Sequence, residues 1–289
     1  MAEIFDFPCA LRHDSCITPE VAEALSLRFP DAYCRADCLY AAAKYIRAQD
    51  ELDYCHLPMC HTLEGDAMGA TINYGDERFG PRAGAFRYDR PEQLLKLPDM
   101  DFQTGHMAQV LETCRRLAAD GEAIMYDVDG PFTILGTLID MKHLFKIFRS
   151  REDLVAHIYQ HLERNLLAYL QQLCDHGVRL FSYADSAGSP GILGPKLAER
   201  VHREFTVPFL KKAAALLEGR GLLVLCPKTS YALESIGLAR WESLELGKTM
   251  SYQEAMLDCV GKTAILGESC VKNRKHMLPD GRVRTLCLI

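Results

Sequence analysis

The chain lacks three features that mark common classes of protein. No apolar run among its 289 residues approaches the roughly 18 that a membrane-spanning helix needs. Basic residues are too few for a basic stripe, because 33 Lys and Arg against 39 Asp and Glu leave a net charge of −6. The first residues are acidic, whereas a secretory signal peptide starts with Lys or Arg. We therefore expect a cytoplasmic protein that binds neither membranes nor nucleic acids.

The chain also lacks the Cys-x-x-Cys pair of a structural zinc site, although it contains 12 cysteines. Scattered cysteines in a protein without a secretory signal indicate free thiols in a reducing compartment. Most of them should pack as small hydrophobic side chains. Those that follow predicted strands are candidate ligands.

The order of predicted elements indicates the fold class. Neither repeats nor a low-complexity linker divides the chain, and its 48% apolar content can form one large core. Predicted strands, beginning with residues 4–10 and 52–57, alternate with helices about seven times, which is typical of an α/β protein with a parallel sheet. We predict a single domain over residues 1–289, with a Gly-, Asp- and Arg-rich excursion at about 67–90.

Acidic residues follow two of the predicted strands. Asp127 and Asp129 end the apolar run that starts at Ala123, and Asp185 ends the run that starts at Arg179. Carboxylates at the C-terminal ends of strands are the pattern of the catalytic face of a (β/α)₈ barrel. The alternative is that each one only caps a helix or forms a turn.

Several short motifs occur in a fixed order along the chain. They are Leu57-Pro58-Met59-Cys60-His61-Thr62-Leu63-Glu64-Gly65-Asp66-Ala67-Met68-Gly69-Ala70, Gly130-Pro131-Phe132-Thr133, Asp185-Ser186-Ala187-Gly188, Gly194-Pro195-Lys196 and Val207-Pro208-Phe209. In this order and spacing, the chain from Phe7 to Asn273 resembles the uroporphyrinogen decarboxylase superfamily, and within it the corrinoid-dependent methyltransferases. The resemblance implies a single α/β domain folded as a (β/α)₈ TIM barrel.

The decarboxylase branch is the less similar one. It carries two arginines after the first strand and an aspartate after the second, which hold the carboxylates and pyrrole N–H groups of a tetrapyrrole. Here Arg12 is the single arginine of the matching segment, and the second strand continues as Tyr54-Cys55-His56-Leu57-Pro58 without the aspartate. Uroporphyrinogen decarboxylation is therefore the less favoured activity.

The methyltransferase branch implies a thiol-activating zinc ion, held by a His-x-Cys motif on a late strand and a further cysteine near the C-terminus. Cys226 matches the first cysteine, but Val224 stands at the histidine position. Half of the motif is therefore missing, which argues against an inherited zinc site.

A replacement site remains open. Glu268 and Cys270 follow the last clear strand, so a Cys226–Cys270 site could be completed by Glu268, or by a nitrogen from His61 or His276. The alternative, which we favour, is that both cysteines are ordinary strand-end residues.

Two functions remain. The first is methyl transfer between a corrinoid (methylcobalamin) carried by a partner protein and a small molecule. That molecule is a methyl donor such as a methyl ether or methylamine, or a thiol or folate acceptor. The catalytic candidates are Asp127, Asp129, Asp185 and Glu268. The second function is that of a non-catalytic binding or assembly subunit.

Aromatic and basic residues of the excursion are the main candidates for contacts with a substrate or partner. We expect the excursion to overhang the mouth of the barrel, although a solvent-facing hairpin is an open alternative. The candidates for substrate or partner binding are Arg12, His61, Tyr74, Arg78, Phe79, Arg82 and Phe132.

The C-terminal unit is shortened. Residues 274–289 are too few for the usual helix and returning strand, although 283–289 has the composition of a strand. We expect this strand to close the barrel directly. Otherwise an open edge remains for a second copy to cover, as in a homodimer.

Overall fold

A computed structural model describes residues 4–9, 17–76, 78–273 and 275–289. The strands of this part of the chain are β1 (Cys55–Leu57), β2 (Ile72–Asn73), β3 (Arg82–Ala83), β4 (Ile124–Asp129), β5 (Leu180–Ala184), β6 (Leu222–Leu225), β7 (Ala239–Glu245), β8 (Met250–Ser251), β9 (Ile265–Leu266), β10 (Met277–Leu278) and β11 (Arg282–Leu288).

Helices alternate with these strands. The α-helices are α1 (Pro19–Ala24), α2 (Asp31–Cys34), α3 (Ala36–Gln49), α4 (Leu63–Ala67), α5 (Gly105–Ala119), α6 (Pro131–Leu138), α7 (Met141–Ser150), α8 (Glu152–Asp175), α9 (Pro190–Leu193), α10 (Pro195–Val201), α11 (Val207–Leu217), α12 (Pro227–Ser235) and α13 (Tyr252–Asp258). Shorter 3₁₀ or π segments are Pro91–Lys96, Ser186–Gly188 and His202–Thr206. None of the helices described here is long and apolar enough to cross a membrane.

A seven-stranded sheet in the order β1-β4-β5-β6-β9-β11-β7 forms the centre of the described structure. The first five strands run parallel, and β11 runs antiparallel to both β9 and β7. All six residues of β4 are buried, as expected for a strand covered on both faces. The predicted α/β class and its parallel central sheet are confirmed.

The closed eight-stranded barrel is not seen in the described residues. The segment predicted as the first strand, as far as 4–9 shows it, is not a strand, and β1 and β7 are the two ends of the sheet. The C-terminal strand forms as predicted, but it lies antiparallel between β9 and β7 instead of closing a barrel. A parallel closure needs a long crossover, usually a helix, whereas the described residues between β9 and β11 contain only the short strand β10.

The parallel strands give the sheet one edge at which their C-terminal ends meet, called here the carboxyl edge. Helix α3 packs on β1 and α5 packs on β4, the strands that they precede. Because a helix that leads into such a strand runs back along the sheet, the N-termini of α3 and α5 lie towards the carboxyl edge.

The predicted excursion contains a two-residue antiparallel ladder of β2 and β3. Two contacts join it to the rest of the described structure. The Tyr88 N–H donates to the Leu138 carbonyl at 3.1 Å, and β3 contacts α6. Since α6 directly follows β4, the excursion packs beside an element that starts at the carboxyl edge.

Candidate functional site

Two histidine–carboxylate pairs lie where β1 and β4 end. His56 Nε2 is 3.0 Å from Asp127 Oδ1, and His61 Nδ1 is 3.0 Å from Asp129 Oδ1. Asp127 and Asp129 are two residues apart on one strand, so their side chains leave the same face of the sheet. Of the site residues predicted from the sequence, the two neighbouring pairs bring His61, Asp127 and Asp129 together.

The His56–Asp127 pair is the more enclosed of the two, with side chains 13% and 9% exposed. Burial raises the pKa of Asp127, but the electrostatic interaction and hydrogen bond with His56, together with the charges of His61 and Lys272, outweigh it and lower this pKa below its ordinary value. Asp127 is therefore a fixed negative charge.

The His61–Asp129 pair combines a buried acid with an accessible base. The side chain of Asp129 is 5% exposed, whereas that of His61 is 42% exposed. The charge of Asp129 and its hydrogen bond raise the pKa of His61 to about 9, against a smaller opposing effect of burial. At neutral pH the pair therefore presents a protonated imidazole.

Glu64 stands behind this pair. The backbone N–H of Asp129 donates to Glu64 Oε1 at 3.0 Å, and Glu64 is buried. Burial raises the pKa of Glu64, and the neighbouring charge of Asp129 raises it further. Burial also raises the pKa of Asp129, against the lowering effect of His61. The carboxyl groups of Glu64 and Asp129 are therefore both buried, and both hold a proton more readily than an ordinary carboxyl group.

Asp185 has a different environment. It accepts hydrogen bonds from the N–H of Phe132 at 3.2 Å and from the N–H of Thr133 at 2.9 Å, which lie in the first turn of α6. Burial raises the pKa of Asp185 to about 6. A Cβ atom at Gly130 would lie 2.3 Å from the Asp185 Cβ, so the Gly-Pro break allows this close approach. The structure places Asp185 as an acceptor for the N-terminus of α6.

Phe132 does not belong to an accessible surface, contrary to our expectation. It is 0% exposed, and its ring centroid lies 4.6 Å from that of Phe148. The side chain of a residue in the first turn of α6 points into the core, where it is out of reach of a substrate or partner.

Glu268 lies after β9, where it pairs with the C-terminal strand. Arg284 Nε is 3.0 Å from Glu268 Oε2, and the same guanidinium hydrogen-bonds the Tyr231 hydroxyl and covers the Trp241 ring at 4.7 Å. The Glu268 side chain is 9% exposed, and its buried Oε1 has no hydrogen-bond partner in the described structure.

Cys226 and Cys270 line one cavity of about 360 Å³ together with Cys9 and Glu268. Burial raises the pKa of Cys226 to about 11 and also raises that of Cys270, so both are neutral thiols at pH 7.

These residues do not fit a zinc site. Val224 is fully buried in an apolar cluster with Met125 and Leu266, so the missing imidazole has been replaced by core packing. His61 is engaged by Asp129, and His276 packs against Tyr252. Within the ranges that the structure describes, no three His, Cys, Asp or Glu side chains are grouped to hold a metal ion.

The excursion residues divide into two groups. Tyr74 faces inwards and donates to Asp66 Oδ2 at 2.5 Å, whereas Phe79 is 61% exposed with the Arg82 guanidinium 5.5 Å from its ring centroid. The N–H of Arg78 donates to Asp76 in the same turn. Tyr74 also packs edge-on against His106, with ring centroids 5.4 Å apart. The other candidate binding residue, Arg12, lies outside the described residues.

His56, Glu64 and Lys272 were not predicted from the sequence as site residues. Lys272 follows β9, and its charge lowers the pKa values of Asp127 and His61, which places it near both pairs. His56 could have been identified as a site residue because it is a polar residue inside a predicted strand. Glu64 could have been identified because it is an acid that follows apolar residues within one of the family motifs.

Comparisons with known proteins identify the family of the chain. The family model "Uroporphyrinogen decarboxylase (URO-D)" matches residues 7–269. Methylcobamide:CoM methyltransferase MtaA of Methanosarcina barkeri is 23% identical over 252 residues, which cover 86% of this chain and 71% of the relative. Uroporphyrinogen decarboxylase of Aromatoleum aromaticum is 25% identical over 215 residues, covering 70% of this chain and 58% of the relative.

Among solved structures, a methyltransferase from Methanosarcina mazei superposes with a TM-score of 0.64 at 21% identity. The match covers 76% of this chain and 65% of that one, so this chain spans less than two thirds of its length. At this identity the likeness concerns the fold. The family model, which extends over most of the sequence, shows that the chain belongs to the uroporphyrinogen decarboxylase (URO-D) family.

Proposed function

We propose that this protein transfers a methyl group from a small methyl donor, a methyl ether or methylamine, to the corrinoid of a partner protein. One observation carries the proposal: His61, with its raised pKa, is an accessible proton donor held on the buried carboxylate of Asp129. The similarity to methylcobamide:CoM methyltransferases supports methyl transfer as the reaction class.

The chemistry of demethylation requires such a donor. When the bond between the methyl carbon and its oxygen or nitrogen breaks, the heteroatom keeps the electron pair and needs a proton to leave as an alcohol or amine. The corrinoid supplies the cobalt that takes the methyl group. A pKa of about 9 keeps His61 protonated at neutral pH, so the imidazole can give this proton to the leaving heteroatom.

The neighbouring groups have supporting roles in this proposal. Asp129 orients the imidazole and stabilises its positive charge. Glu64, whose raised pKa favours the protonated form, is the group best placed to return a proton to the pair. The Asp127 charge, fixed by His56, adds to the negative potential that favours protonated His61.

The cavity lined by Cys226 and Cys270, called here the thiol cavity, favours a methyl donor over a thiol acceptor as the substrate. Attack by a thiol substrate on a methyl group requires a thiolate, which a zinc ion or a positive charge must stabilise at neutral pH. Cys226 and Cys270 are themselves neutral thiols beside the buried Glu268 carboxylate, and Val224 removes the imidazole that the resemblance implies.

The proposal can be tested with free cobalamin. Under anaerobic conditions, chemically reduced cobalamin is mixed with the protein and a panel of methyl ethers and methylamines, and methylcobalamin formation is followed by absorbance. We expect protein-dependent methylation with at least one donor, and a loss of about 10²-fold or more in rate for His61→Gln. His157→Gln, an exposed histidine on α8, is the matched control and should retain the wild-type rate.

Two results would contradict the proposal. Methylation of a thiol from methylcobalamin, without demethylation of any donor, would show that transfer runs the other way. Inactivity in both directions, also when a corrinoid protein from a neighbouring gene replaces free cobalamin, would support the non-catalytic alternative.

A further inference from the structure

The thiol cavity has a largely apolar lining and lies at the carboxyl edge of the sheet. Apolar side chains and cysteines form most of its wall, and they are Phe7, Pro8, Pro227, Cys9, Cys226 and Cys270. Cys226 directly follows β6 and Cys270 follows β9, and these two strands are parallel neighbours, so their ends meet at this edge. A cavity with such a lining is suited to an apolar ligand.

The segment 4–9 forms one side of the cavity and is fixed to helix α12. The Phe7 ring stacks on the Tyr231 ring with centroids 5.0 Å apart, and the Phe5 N–H donates to Ser235 Oγ at 2.9 Å. These contacts hold the segment against the end of the sheet, so the cavity has a formed wall to which a ligand can bind.

The charged groups at the cavity are compensated within the protein. Lys228 Nζ lies 3.0 Å from Asp6 Oδ1, and Glu268 Oε2 lies 3.0 Å from Arg284 Nε. A charged ligand would lose its hydration on entering the cavity and would have to compete with these ion pairs. The lining therefore favours an uncharged ligand.

The volume of the cavity sets the size of the ligand. An apolar protein cavity of about 150 Å³ holds one benzene molecule. The thiol cavity, at about 360 Å³, therefore has room for one ring with a substituent.

The cavity is also close to the histidine–carboxylate pairs. Neighbouring strands lie about 4.8 Å apart, so the ends of β4 and β6, with β5 between them, are separated by roughly 10 Å. Burial is the main cause of the raised pKa of Cys270, and the charge of Asp127 raises it further, as expected for groups that lie near each other. A ring in the cavity can therefore direct a methoxy substituent towards the end of β4.

The proton donor described above is of more use to an ether than to an amine. A methylamine is protonated in neutral water, as a lysine side chain is, and so carries a proton on its heteroatom before it binds. A methyl ether carries none and must take it from the protein when its C–O bond breaks. His61, accessible and protonated at neutral pH, meets this need.

We propose that the thiol cavity binds the methyl donor, and that this donor is an uncharged methyl ether with an apolar group about the size of one ring. The inference rests on the proposed methyl transfer and names its substrate class. The methyl carbon forms its new bond with an electron pair of the reduced corrinoid, while the C–O bond breaks and the oxygen keeps the bonding pair. This oxygen takes a proton from His61 and leaves as an alcohol.

Two compounds of matched size test the cavity without any corrinoid. Cyclohexyl methyl ether is uncharged, whereas N-methylcyclohexylamine is protonated at about pH 8. The full chain is alkylated with iodoacetamide at this pH, with and without each compound, and peptide mass spectrometry follows the labelling of each cysteine. With the ether at about ten times its dissociation constant, measured by isothermal titration, labelling of Cys226 and Cys270 should slow about tenfold. Cys38 and Cys287, equally half-buried but outside the cavity, are internal controls and should react at unchanged rates.

A variant that fills the cavity gives a second readout. In Cys270→Phe the added ring occupies the space of the ligand, so the ether should no longer protect Cys226. Cys38→Phe makes the same change on α3, outside the cavity, and should leave the protection of Cys226 as in wild type. Full protection of Cys226 by the ether in a folded Cys270→Phe protein would overturn the proposal.

The wild-type labelling decides the proposal even if the variant does not fold. Equal labelling of Cys226 and Cys270 with and without the ether would overturn it. Protection by the amine that equals or exceeds that by the ether would overturn the choice of an uncharged donor. Protection by the ether in a protein that transfers no methyl group would support the cavity inference and contradict only the proposed function.

Discussion

Asp185 accepts two hydrogen bonds from Thr133, one from the backbone N–H and one from the hydroxyl, each at 2.9 Å. The two residues join the end of β5 to the first turn of α6, the helix that follows the strand carrying Asp127 and Asp129. Asp185 therefore acts on the site through the position of α6.

This relationship predicts the effect of Asp185→Ala. Loss of the acceptor should destabilise the protein by about 1–3 kcal/mol, because two backbone donors and a hydroxyl lose their partner. Urea unfolding measures the change, and Thr133→Ser, which keeps both donors, should cost far less. Wild-type stability in Asp185→Ala, together with lost demethylation, would instead make Asp185 a catalytic acid.

The His61–Asp129 pair predicts a pH-dependent stability. The pKa of His61 is about 9 in the folded protein and about 6.5 in an unfolded chain, so its contribution is fully present below pH 6.5 and is lost as the pH rises through 9. Water screens a side chain that is 42% exposed, so we expect no more than about 1–2 kcal/mol. The stability difference between wild type and His61→Gln, measured by urea unfolding from pH 6 to 9.5, should shrink over this range. A constant difference would show that the pair is not ionised as described.

Replacing Glu64 with a neutral residue should stabilise the protein at high pH, because the wild-type carboxyl group is buried. Because burial raises its pKa, folded Glu64 keeps a proton that an unfolded chain releases above about pH 4.3, and wild-type stability falls as the pH rises from there. Glu64→Gln lacks this titration and should gain stability relative to wild type with increasing pH. Parallel stability profiles of the two proteins between pH 5 and 8.5 would contradict the raised pKa.

The Arg284–Glu268 pair predicts a measurable coupling. Arg284→Ala leaves the Glu268 carboxylate, 9% exposed, without its charge partner, and because water partly screens an Arg284 side chain that is 43% exposed, the loss should be about 1–2 kcal/mol. Adding Glu268→Gln removes the uncompensated charge and should restore part of this loss. Chemical unfolding of the two single variants and the double variant gives the coupling energy, and strictly additive losses would show that the two residues are independent.

The thiol cavity predicts a low metal content. Elemental analysis of the purified protein should find well under one zinc per chain, and the same amount in Cys226→Ala and Cys270→Ala, because the residues around the two thiols do not complete a tetrahedral set. One zinc per wild-type chain that is lost in either variant would contradict this expectation.

The sequence predicted the inner strands well, because parallel strands covered on both faces appear as short apolar runs. Strands β4, β5 and β6 lie where the runs before Asp129, Asp185 and Cys226 indicated them. The C-terminal strand was also found, but not its neighbours. Its antiparallel pairing with both β9 and β7 depends on the connection after β9, which has no sequence signal of its own.

The candidate site was predicted only in part. The acids Asp127 and Asp129 were visible as polar residues at a strand end, whereas their partners lie about 70 residues away along the chain, on or just after β1. Asp185 and Glu268 carry the same sequence signal as Asp127, but local hydrogen bonds and an ion pair engage them elsewhere. Partner identity, which decides the role of an acid, is a property of the folded chain.

Strand β7 pairs with β11 on one side and ends the described sheet on the other. The outer edge of such a strand has unpaired N–H and C=O groups. Another extended chain can hydrogen-bond to them, and fibrils grow by this kind of pairing. Here Arg240, Glu242 and Glu245 are exposed along it, with Arg240 Nη2 2.7 Å from Glu242 Oε1. A foreign strand laid alongside would have to dehydrate these charges, so β7 protects the protein from polymerising through its own sheet.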